Sequence, residues 1–303
     1  RRLQFAKRLI DETRLPMTEV ALSAGYGSLR SFNDHFKKTY DRSPRELRKA
    51  QNQAFQRHQL SIRLSFREPY DFRGLLNFYA IRATSGVELV NETYERSFIL
   101  DGESGRFTVH KDGSSLVCTI AGGSSRTLMT LVQRIRRMFD VDAIPDEITN
   151  VLKADKKMRK QVNSALGLRL PGAFDPFEVS VRAIVGQQVS VKGATTIMGR
   201  IASRYGLESK HGLIFPDASR LADLQTDHLS MPTRRALTIK ELARRVSIGE
   251  LDFGIPDDDG FGEALLSIPG IGPWTAQYIA LRARGNPDAF LAGDLVIRKA
   301  ARS

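Results

Sequence analysis

The chain has 303 residues, with 46 Lys and Arg against 34 Asp and Glu, so its formal net charge is +12 and its isoelectric point is near 10. This balance favours a polyanionic partner, although charge alone does not separate DNA from RNA or an acidic membrane. The single cysteine, Cys118, excludes an internal disulfide framework and a multi-cysteine metal site, and no apolar run reaches the length of a membrane span.

Length and a hydrophobic fraction of 41% predict two or three folded domains. We place them at residues 1–50, 60–140 and 145–303, with the polar residues 51–59 as a linker or helix extension. The expected fold is multidomain and mainly α-helical, with one small α+β domain. No secretory leader opens the chain, so we expect a cytoplasmic, nucleoid-associated bacterial protein without a membrane partner, cofactor or metal.

The first block has the pattern of a helical DNA-binding unit. Apolar residues recur on one face of residues 3–10, and helices are predicted over residues 17–23 and 28–40 around a glycine turn at Gly25. Two helices joined by such a turn form a helix-turn-helix, whose second helix enters the major groove of DNA. An ordinary helical hairpin has the same pattern.

In the second helix, Phe32 and Phe36 are four residues apart and should face the core. The side chains predicted to face DNA are Arg30, Asn33, Asp34 and Lys37. The most specific pattern consists of Val20, Ala21, Gly25, Tyr26, Ser28, Ser31, Phe32, Phe36 and Lys37, followed by SPRELR at residues 43–48. It resembles the second helix-turn-helix of the AraC family of transcription regulators. In that family a helix similar to residues 3–10 joins two such units, so we expect a first unit before this chain.

The second block changes to a period of two, which is typical of strands. Strands are predicted near residues 61–66, 87–90, 94–100, 106–110 and 115–120, and helices over residues 71–81 and 125–139. The block therefore predicts a sheet covered by helices. Cys118 lies in an apolar strand pattern, which indicates a packing role.

The third block is predicted to be nearly all helical, with breaks near Pro171, Gly206, Pro216 and Pro232. A basic run at residues 153–160 is predicted to be a solvated helix face, with phosphate contact as the alternative.

Residues 265–276 (LLSIPGIGPWTA) predict a tight hairpin between two helices. Pro269 ends the first helix, Gly270 and Gly272 permit positive φ and the close approach of an anion, and Pro273 opens the second helix. Amides at such a helix start can bind a DNA phosphate, so Pro269, Gly270, Ile271 and Gly272 form a candidate phosphate site. An ordinary tight turn is the alternative.

Asp294 follows twenty residues after Trp274 and stands just before an apolar stretch, as expected for the start of a helix. A helix N-terminus helps to keep a carboxylate ionised. Such a group can stabilise an oxocarbenium ion and orient water, as in glycoside hydrolysis. A plain helix cap is the alternative.

Four segments in order carry a second resemblance: residues 69–83, 168–178, 182–190 and the hairpin with Asp294. They resemble 3-methyladenine DNA glycosylase II of the AlkA type, over roughly residues 60–303. The resemblance implies a helix-hairpin-helix glycosylase core, duplex DNA as partner, base flipping, and Asp294 as the catalytic aspartate. It also implies a base-binding cleft with Trp274, Tyr278 and Phe78, although residues spaced like these often pack in a core.

Related bifunctional enzymes carry a nucleophilic lysine at the position of Trp274, so the resemblance implies a monofunctional glycosylase without lyase activity. Gln188 stands where the family has an apolar wedge that fills the gap left by the flipped nucleotide. The chain ends nine residues after Asp294, and we expect further helices to close the core.

Two functions from different classes follow. The first is an enzyme that excises alkylated purines, fused to a regulator that binds damaged and operator DNA. The second is a transcription regulator whose glycosylase-like part only binds DNA or lesions.

Overall fold

The computed structural model describes residues 2–13, 15–40, 43–48, 60–124, 127–225, 231–255 and 258–301. The chain forms two compact units. The first contains Arg1–Leu76, Val90–Arg136 and Asp140–Arg169, and the second contains Asn77–Leu89, Arg137–Phe139 and Leu170–Ser303. These units divide the chain differently from the three predicted blocks, whose boundaries stay a prediction. The predicted linker at residues 51–59 lies outside the described residues.

The helix-turn-helix occupies the start of the first unit. Its helices are α1 (Arg2–Glu12), α2 (Met17–Ser23), α3 (Leu29–Tyr40) and α4 (Pro44–Arg48). Gly25 has a φ of 75°, which allows the sharp turn between α2 and α3. Phe32 and Phe36 are fully buried, as predicted. Before α4, the Ser43 amide donates to the Glu46 carboxylate while the Glu46 amide donates to Ser43 Oγ, a reciprocal cap that starts the helix.

The small sheet of the first unit is antiparallel. Its strands are β1 (Leu60–Ser65), β3 (Tyr94–Leu100), β4 (Glu103–Asp112) and β5 (Ser115–Gly122), in the order β1-β5-β4-β3. The strand β2 (Glu88–Val90) and the helix α5 (Phe72–Ala80) fall at boundaries between the two units along the sequence. The predicted α+β block is therefore confirmed, with strand limits shifted by a few residues.

Large side chains fill the core of this sheet. Tyr94 and Phe107 are fully buried, and their rings stack at a centroid distance of 5.9 Å. The helix α6 (Leu128–Met138) adds Leu131 and Ile135, which are one turn apart and almost fully buried. Cys118 is buried in β5, and this burial raises the pKa of its thiol, in agreement with the predicted packing role.

The basic run at residues 153–160 does not form one helix. The helix α7 (Pro145–Ala154) ends within it, and α8 (Arg159–Ser164) begins near its end. The side chain of Asp155 accepts a hydrogen bond from the Lys157 amide at 2.7 Å, which stabilises the intervening turn instead of a continuous helix.

The second unit is mainly helical. Its further helices are α9 (Pro176–Val185), α10 (Val191–Tyr205), α11 (Ala218–Ala222), α12 (Thr233–Ser247), α13 (Asp258–Leu266), α14 (Pro273–Ile279), a π-helical turn (Ala280–Arg284) and α15 (Leu295–Ala300). The nearly all-helical prediction is confirmed for this unit. A short antiparallel hairpin of β6 (Leu207–Ser209) and β7 (Gly212–Ile214), which was not predicted, lies between the predicted breaks at Gly206 and Pro216.

Apolar faces of α9, α10, α12, α13 and α14 form one core in the second unit. Ile184, Met198, Ile239 and Leu265 are fully buried there. Asp175 caps α9 by accepting the Glu178 amide at 2.9 Å, and Ser190 caps α10 by accepting the Gly193 amide at 3.1 Å. This core fixes the helices that bear the candidate site. Within the described part of the chain, no helix is long and apolar enough to cross a membrane.

Candidate functional site

The predicted hairpin connects α13 to α14, and Gly270 is necessary for its shape. Its φ of 95° lies in the region that side chains rarely adopt, and a Cβ there would stand 2.2 Å from Thr238 Oγ1. The Thr238 hydroxyl in turn donates to the Pro269 carbonyl at 2.7 Å. The hairpin is thus packed tightly against α12.

Gly272 differs from the prediction. Its φ of −100° and ψ of 177° are extended, so the expected positive φ at this position is wrong. It is instead the N-cap of α14, with Pro273 at the start of the helix as predicted, and a Cβ on it would meet nothing within 4 Å. In the described structure no side chain caps α14, so the start of this helix is open toward the cleft that Gly270 and Gly272 line.

Asp294 is the N-cap of α15, as its sequence position predicted. Its Oδ1 accepts the amides of Val296 at 2.8 Å and Ile297 at 3.2 Å. Its Oδ2 accepts the indole N–H of Trp274 at 3.1 Å. Partial burial by itself raises the pKa of Asp294, but the hydrogen bonds from Ile297, Trp274 and Val296 outweigh it and hold that pKa below its ordinary value. The carboxylate is therefore ionised at neutral pH.

The second unit contains a cleft of about 1060 Å³ that brings most of the predicted site residues together. Trp274, Tyr278, Asp294 and Gln188 all line it. The rings of Trp274 and Tyr278 stack at a centroid distance of 5.3 Å and an angle of 28°. The cleft thus combines an aromatic wall with an ionised carboxylate.

Phe78 does not lie in the lining of this cleft, contrary to the prediction. Its ring is covered by two guanidinium groups, with Arg82 at 3.8 Å and Arg282 at 4.6 Å from the ring centroid. Arg282 also lies 5.7 Å from the ring centroid of Tyr278. Phe78 therefore packs with arginines, one of which, Arg82, itself lines the cleft.

Arg82 and Arg182 line the cleft and were not predicted as site residues. Burial is the main cause that lowers the pKa of Arg82; Tyr278 opposes this shift, and Arg282 and Arg182 reinforce it. Arg182 donates to Thr84 Oγ1 at 2.8 Å, and that hydroxyl donates to Glu178 at 3.2 Å. Both arginines lie within segments that carry the second resemblance, at residues 69–83 and 182–190. This position is the sequence signal from which their place in the site could have been predicted.

Gln188 has a φ of 55°, an uncommon left-handed conformation for a residue with a side chain. It is exposed and is the third residue after the end of α9. This strained backbone conformation lies in the segment between α9 and α10, at the edge of the cleft. The neighbouring Gln187, which was not predicted as a site residue, hydrogen-bonds to the hairpin.

The helix-turn-helix residues lie in the first unit. Arg30, Asn33, Asp34 and Lys37 are all exposed on α3, opposite the buried Phe32 and Phe36. Tyr26, in the turn before α3, shares a 2.7 Å hydrogen bond with His35 Nδ1 and so fixes the turn against the helix.

Comparison with known families agrees with these features. Residues 1–50 match a helix-turn-helix domain, residues 61–175 match the AlkA N-terminal domain, and residues 181–303 match the HhH-GPD superfamily of base excision DNA repair proteins. DNA-3-methyladenine glycosylase 2 of Escherichia coli is 34% identical over 78% of this chain and 85% of its own length. The chain belongs to the family of this glycosylase.

A second relative shares the helix-turn-helix as well. The probable bifunctional transcriptional activator/DNA repair enzyme AlkA of Mycobacterium tuberculosis is 37% identical over 99% of the chain, and the chain spans 63% of that relative's length. Among solved structures, 3-methyladenine DNA-glycosylase from Archaeoglobus fulgidus aligns with a TM-score of 0.69 at 22% identity, covering 79% of this chain and 84% of that one. At this identity the alignment supports the fold alone.

Proposed function

We propose that the protein is a monofunctional DNA glycosylase that excises alkylated purines such as 3-methyladenine from duplex DNA. The observation that carries this proposal is the carboxylate of Asp294, which is ionised, fixed by two helix amides and the Trp274 indole, and set in a cleft with stacked aromatic rings. A plain helix cap has no need of the indole or of the cleft.

Asp294 acts on the sugar. As the N-glycosidic bond breaks, positive charge develops on the deoxyribose ring, and a carboxylate held by fixed donors stabilises it without reorganisation. The same carboxylate orients the water that attacks the anomeric carbon. A base alkylated on a ring nitrogen carries positive charge and is already a good leaving group, so no strong general acid is required.

Trp274 and Tyr278 bind the base. Their electron-rich faces favour a flat cationic purine through stacking and cation–π contact. The base reaches them only after extrusion from the helix, and Gln188 fills the space that it leaves and hydrogen-bonds the orphaned partner. The hairpin residues Pro269–Gly272 bind a backbone phosphate, because the helix start beyond them carries partial positive charge.

The reaction ends with hydrolysis and leaves an abasic site. A lyase step requires an amine nucleophile that forms a Schiff base with the sugar. Position 274 is tryptophan, and the described lining of the cleft contains arginines but no lysine. Arginine stays protonated and does not serve as that nucleophile.

The helix-turn-helix supports a second function, which is sequence-specific binding of operator DNA in the regulation of the alkylation response. Arg30, Asn33 and Lys37 extend from the exposed face of α3, the element that enters the major groove in this motif. Since both functions act on DNA, we propose that the protein works at the nucleoid in the bacterial cytoplasm. The competing function is a regulator whose glycosylase-like part only binds DNA.

Measuring base release from a duplex with one 3-methyladenine, under single-turnover conditions, separates these two functions. Using the full-length protein, we expect release by the wild type and a fall of at least a hundredfold in Asp294→Asn, which keeps the size of the side chain but lacks the charge. Both proteins should bind the duplex. Tight binding without release by the wild type would instead support the regulator.

A further inference from the structure

Gln187 connects two parts of the site that the proposed function uses separately. It is the residue before the wedge Gln188 and lies just beyond the end of α9. Its side-chain Nε2 donates to the carbonyl of Gly270 at 2.9 Å and to Thr275 Oγ1 at 2.9 Å. One acceptor belongs to the phosphate hairpin, and the other belongs to the helix that the hairpin opens.

The backbone of Gln187 is also fixed. Its carbonyl accepts a hydrogen bond from the Arg235 guanidinium, and its amide donates to the Ile184 carbonyl at 3.3 Å. Gln187 is therefore held at the side chain by the hairpin and at the backbone by α9 and α12. The next residue adopts the left-handed φ of 55°, so the exposed Gln188 starts from a defined position.

We infer that Gln187 is a positioning residue that holds the wedge Gln188 at a fixed distance from the phosphate hairpin. When a phosphate binds at Gly270 and Gly272, this fixed distance places the wedge Gln188 at the lesion, and the wedge does not have to be positioned in a separate step. Fixing both groups in advance removes an ordering cost from base flipping, because neither has to be immobilised when the DNA binds. This inference rests on the proposed function of the cleft.

The second anchor of the hairpin provides a matched control. Thr238 belongs to α12, and its hydroxyl donates to the Pro269 carbonyl of the hairpin and lies 3.0 Å from the Arg234 carbonyl of its own helix. Loss of this hydroxyl should loosen the hairpin alone. Loss of the Gln187 amide should loosen the connection between hairpin and wedge.

The test compares Gln187→Met, which keeps length without a donor, with Thr238→Val. Both are combined with Asp294→Asn, so that flipping is measured without excision. Base flipping is measured with 2-aminopurine placed in a duplex. The measured quantity is the rise in its fluorescence emission at saturating protein. Two duplexes are used, one with thymine opposite the probe and one with an abasic analogue there, which leaves no orphaned base for the wedge to hydrogen-bond.

We expect Gln187→Met to lower the flipping equilibrium about tenfold with the paired duplex and less than about threefold with the unpaired one. Thr238→Val should weaken binding to both duplexes alike and change flipping at saturation little. Thermal melting of each variant confirms that it is folded. Equal losses of flipping on both duplexes in Gln187→Met, or no loss, would overturn the inference.

The flipping measurement tests the role of Gln187 whether or not the wild type releases base. If the wild type releases no base, the proposed excision fails, while the response of flipping to the opposite base still decides the role of Gln187. If the wild type releases base but Gln187→Met flips normally, the proposed function holds and the positioning role does not.

Discussion

The indole of Trp274 has two separable roles in the cleft, since its ring stacks on Tyr278 while its N–H donates to Asp294. Burial raises the pKa of Asp294, and the hydrogen bonds that include this donor lower it by more. Replacing Trp274 with Phe keeps an aromatic face and removes the donor. The pKa of Asp294 should therefore rise toward its ordinary value.

Because the proposed mechanism needs the carboxylate, base release by the wild type is lost as the pH falls through the pKa of Asp294. In Trp274→Phe the same loss should occur at a higher pH. Release at neutral pH, where the carboxylate stays ionised, should also fall roughly tenfold, because a donor that positions the carboxylate is lost. Single-turnover rates from acid to neutral pH measure both effects. Tyr278→Phe, which retains the aromatic stack and the indole donor, serves as control. An acid limb shared by all three proteins would contradict the role of the indole.

Some single-residue features could be predicted from sequence and others could not. Asp294 as a helix cap depends on the apolar residues directly after it, so local pattern was sufficient. The cover over Phe78 depends on Arg82 in the next turn but also on Arg282, two hundred residues later. Gln187 likewise contacts a carbonyl more than eighty residues away. Contacts between residues so far apart in the sequence produce no periodic pattern, so they could not be predicted.

The hairpin between α13 and α14 offers a comparison of two glycines in one element. Gly270 combines positive φ with a close approach to Thr238, whereas Gly272 has ordinary backbone and open space around it. Gly270→Ala should lower the free energy of unfolding by roughly 2 kcal/mol or more, through strain and overpacking. Gly272→Ala should change it by less than about 0.5 kcal/mol.

The effects of the two glycine substitutions on duplex affinity should not parallel their effects on stability. A methyl group at Gly272 projects into the space through which a phosphate approaches the start of α14, so Gly272→Ala should weaken duplex binding while its melting temperature is unchanged. Fluorescence anisotropy with an undamaged duplex, beside thermal melting, measures both quantities. Normal affinity in Gly272→Ala would remove the phosphate site from this hairpin.

At the level of elements, sequence was most informative where local geometry dictates structure. The helix α2 and the strand β3 begin and end as predicted, and each is bounded by residues that break regular structure. Pro16 stands before α2 and the turn at Gly25 follows it, while β3 is followed by Asp101 and Gly102, which both have positive φ. The hairpin of β6 and β7 was missed because its strands have three residues each, too few for alternation to appear. The π-helical turn after α14, in which Arg282 and Ala283 are buried, was not predicted either.

In the proposed function, the whole molecule combines two DNA-binding devices with different requirements. The helix-turn-helix side chains Arg30, Asn33 and Lys37 are exposed on one helix. Arg30 and Asn33 suit base contacts in the major groove, and Lys37 suits contact with a backbone phosphate. The cleft with Asp294 lies in the other unit and suits a single extruded base. If each device works alone, substitutions in one should leave the other intact.

We therefore expect that variants of each device lose its own function and keep the function of the other device. Arg30→Ala with Asn33→Ala should remove preference for an operator selected from random duplexes, while the single-turnover rate of base release at saturating protein stays within about twofold of the wild type. Asp294→Asn should abolish release and leave operator affinity unchanged. Each contact between a side chain and a base is worth about 1–3 kcal/mol of discrimination, so the first variant should lose at least about tenfold in the ratio of operator to random binding.

Salt dependence distinguishes this outcome from a general loss of DNA affinity. Removing a phosphate contact by Lys37→Ala should reduce the slope of log affinity against log salt by about one for every duplex, damaged or not. Removing base contacts should leave that slope nearly unchanged, because base edges carry no condensed counterions. A fall in base release that parallels the loss of operator binding would mean that the helix-turn-helix also loads the glycosylase onto damaged DNA, and the two devices would then act in series on one duplex.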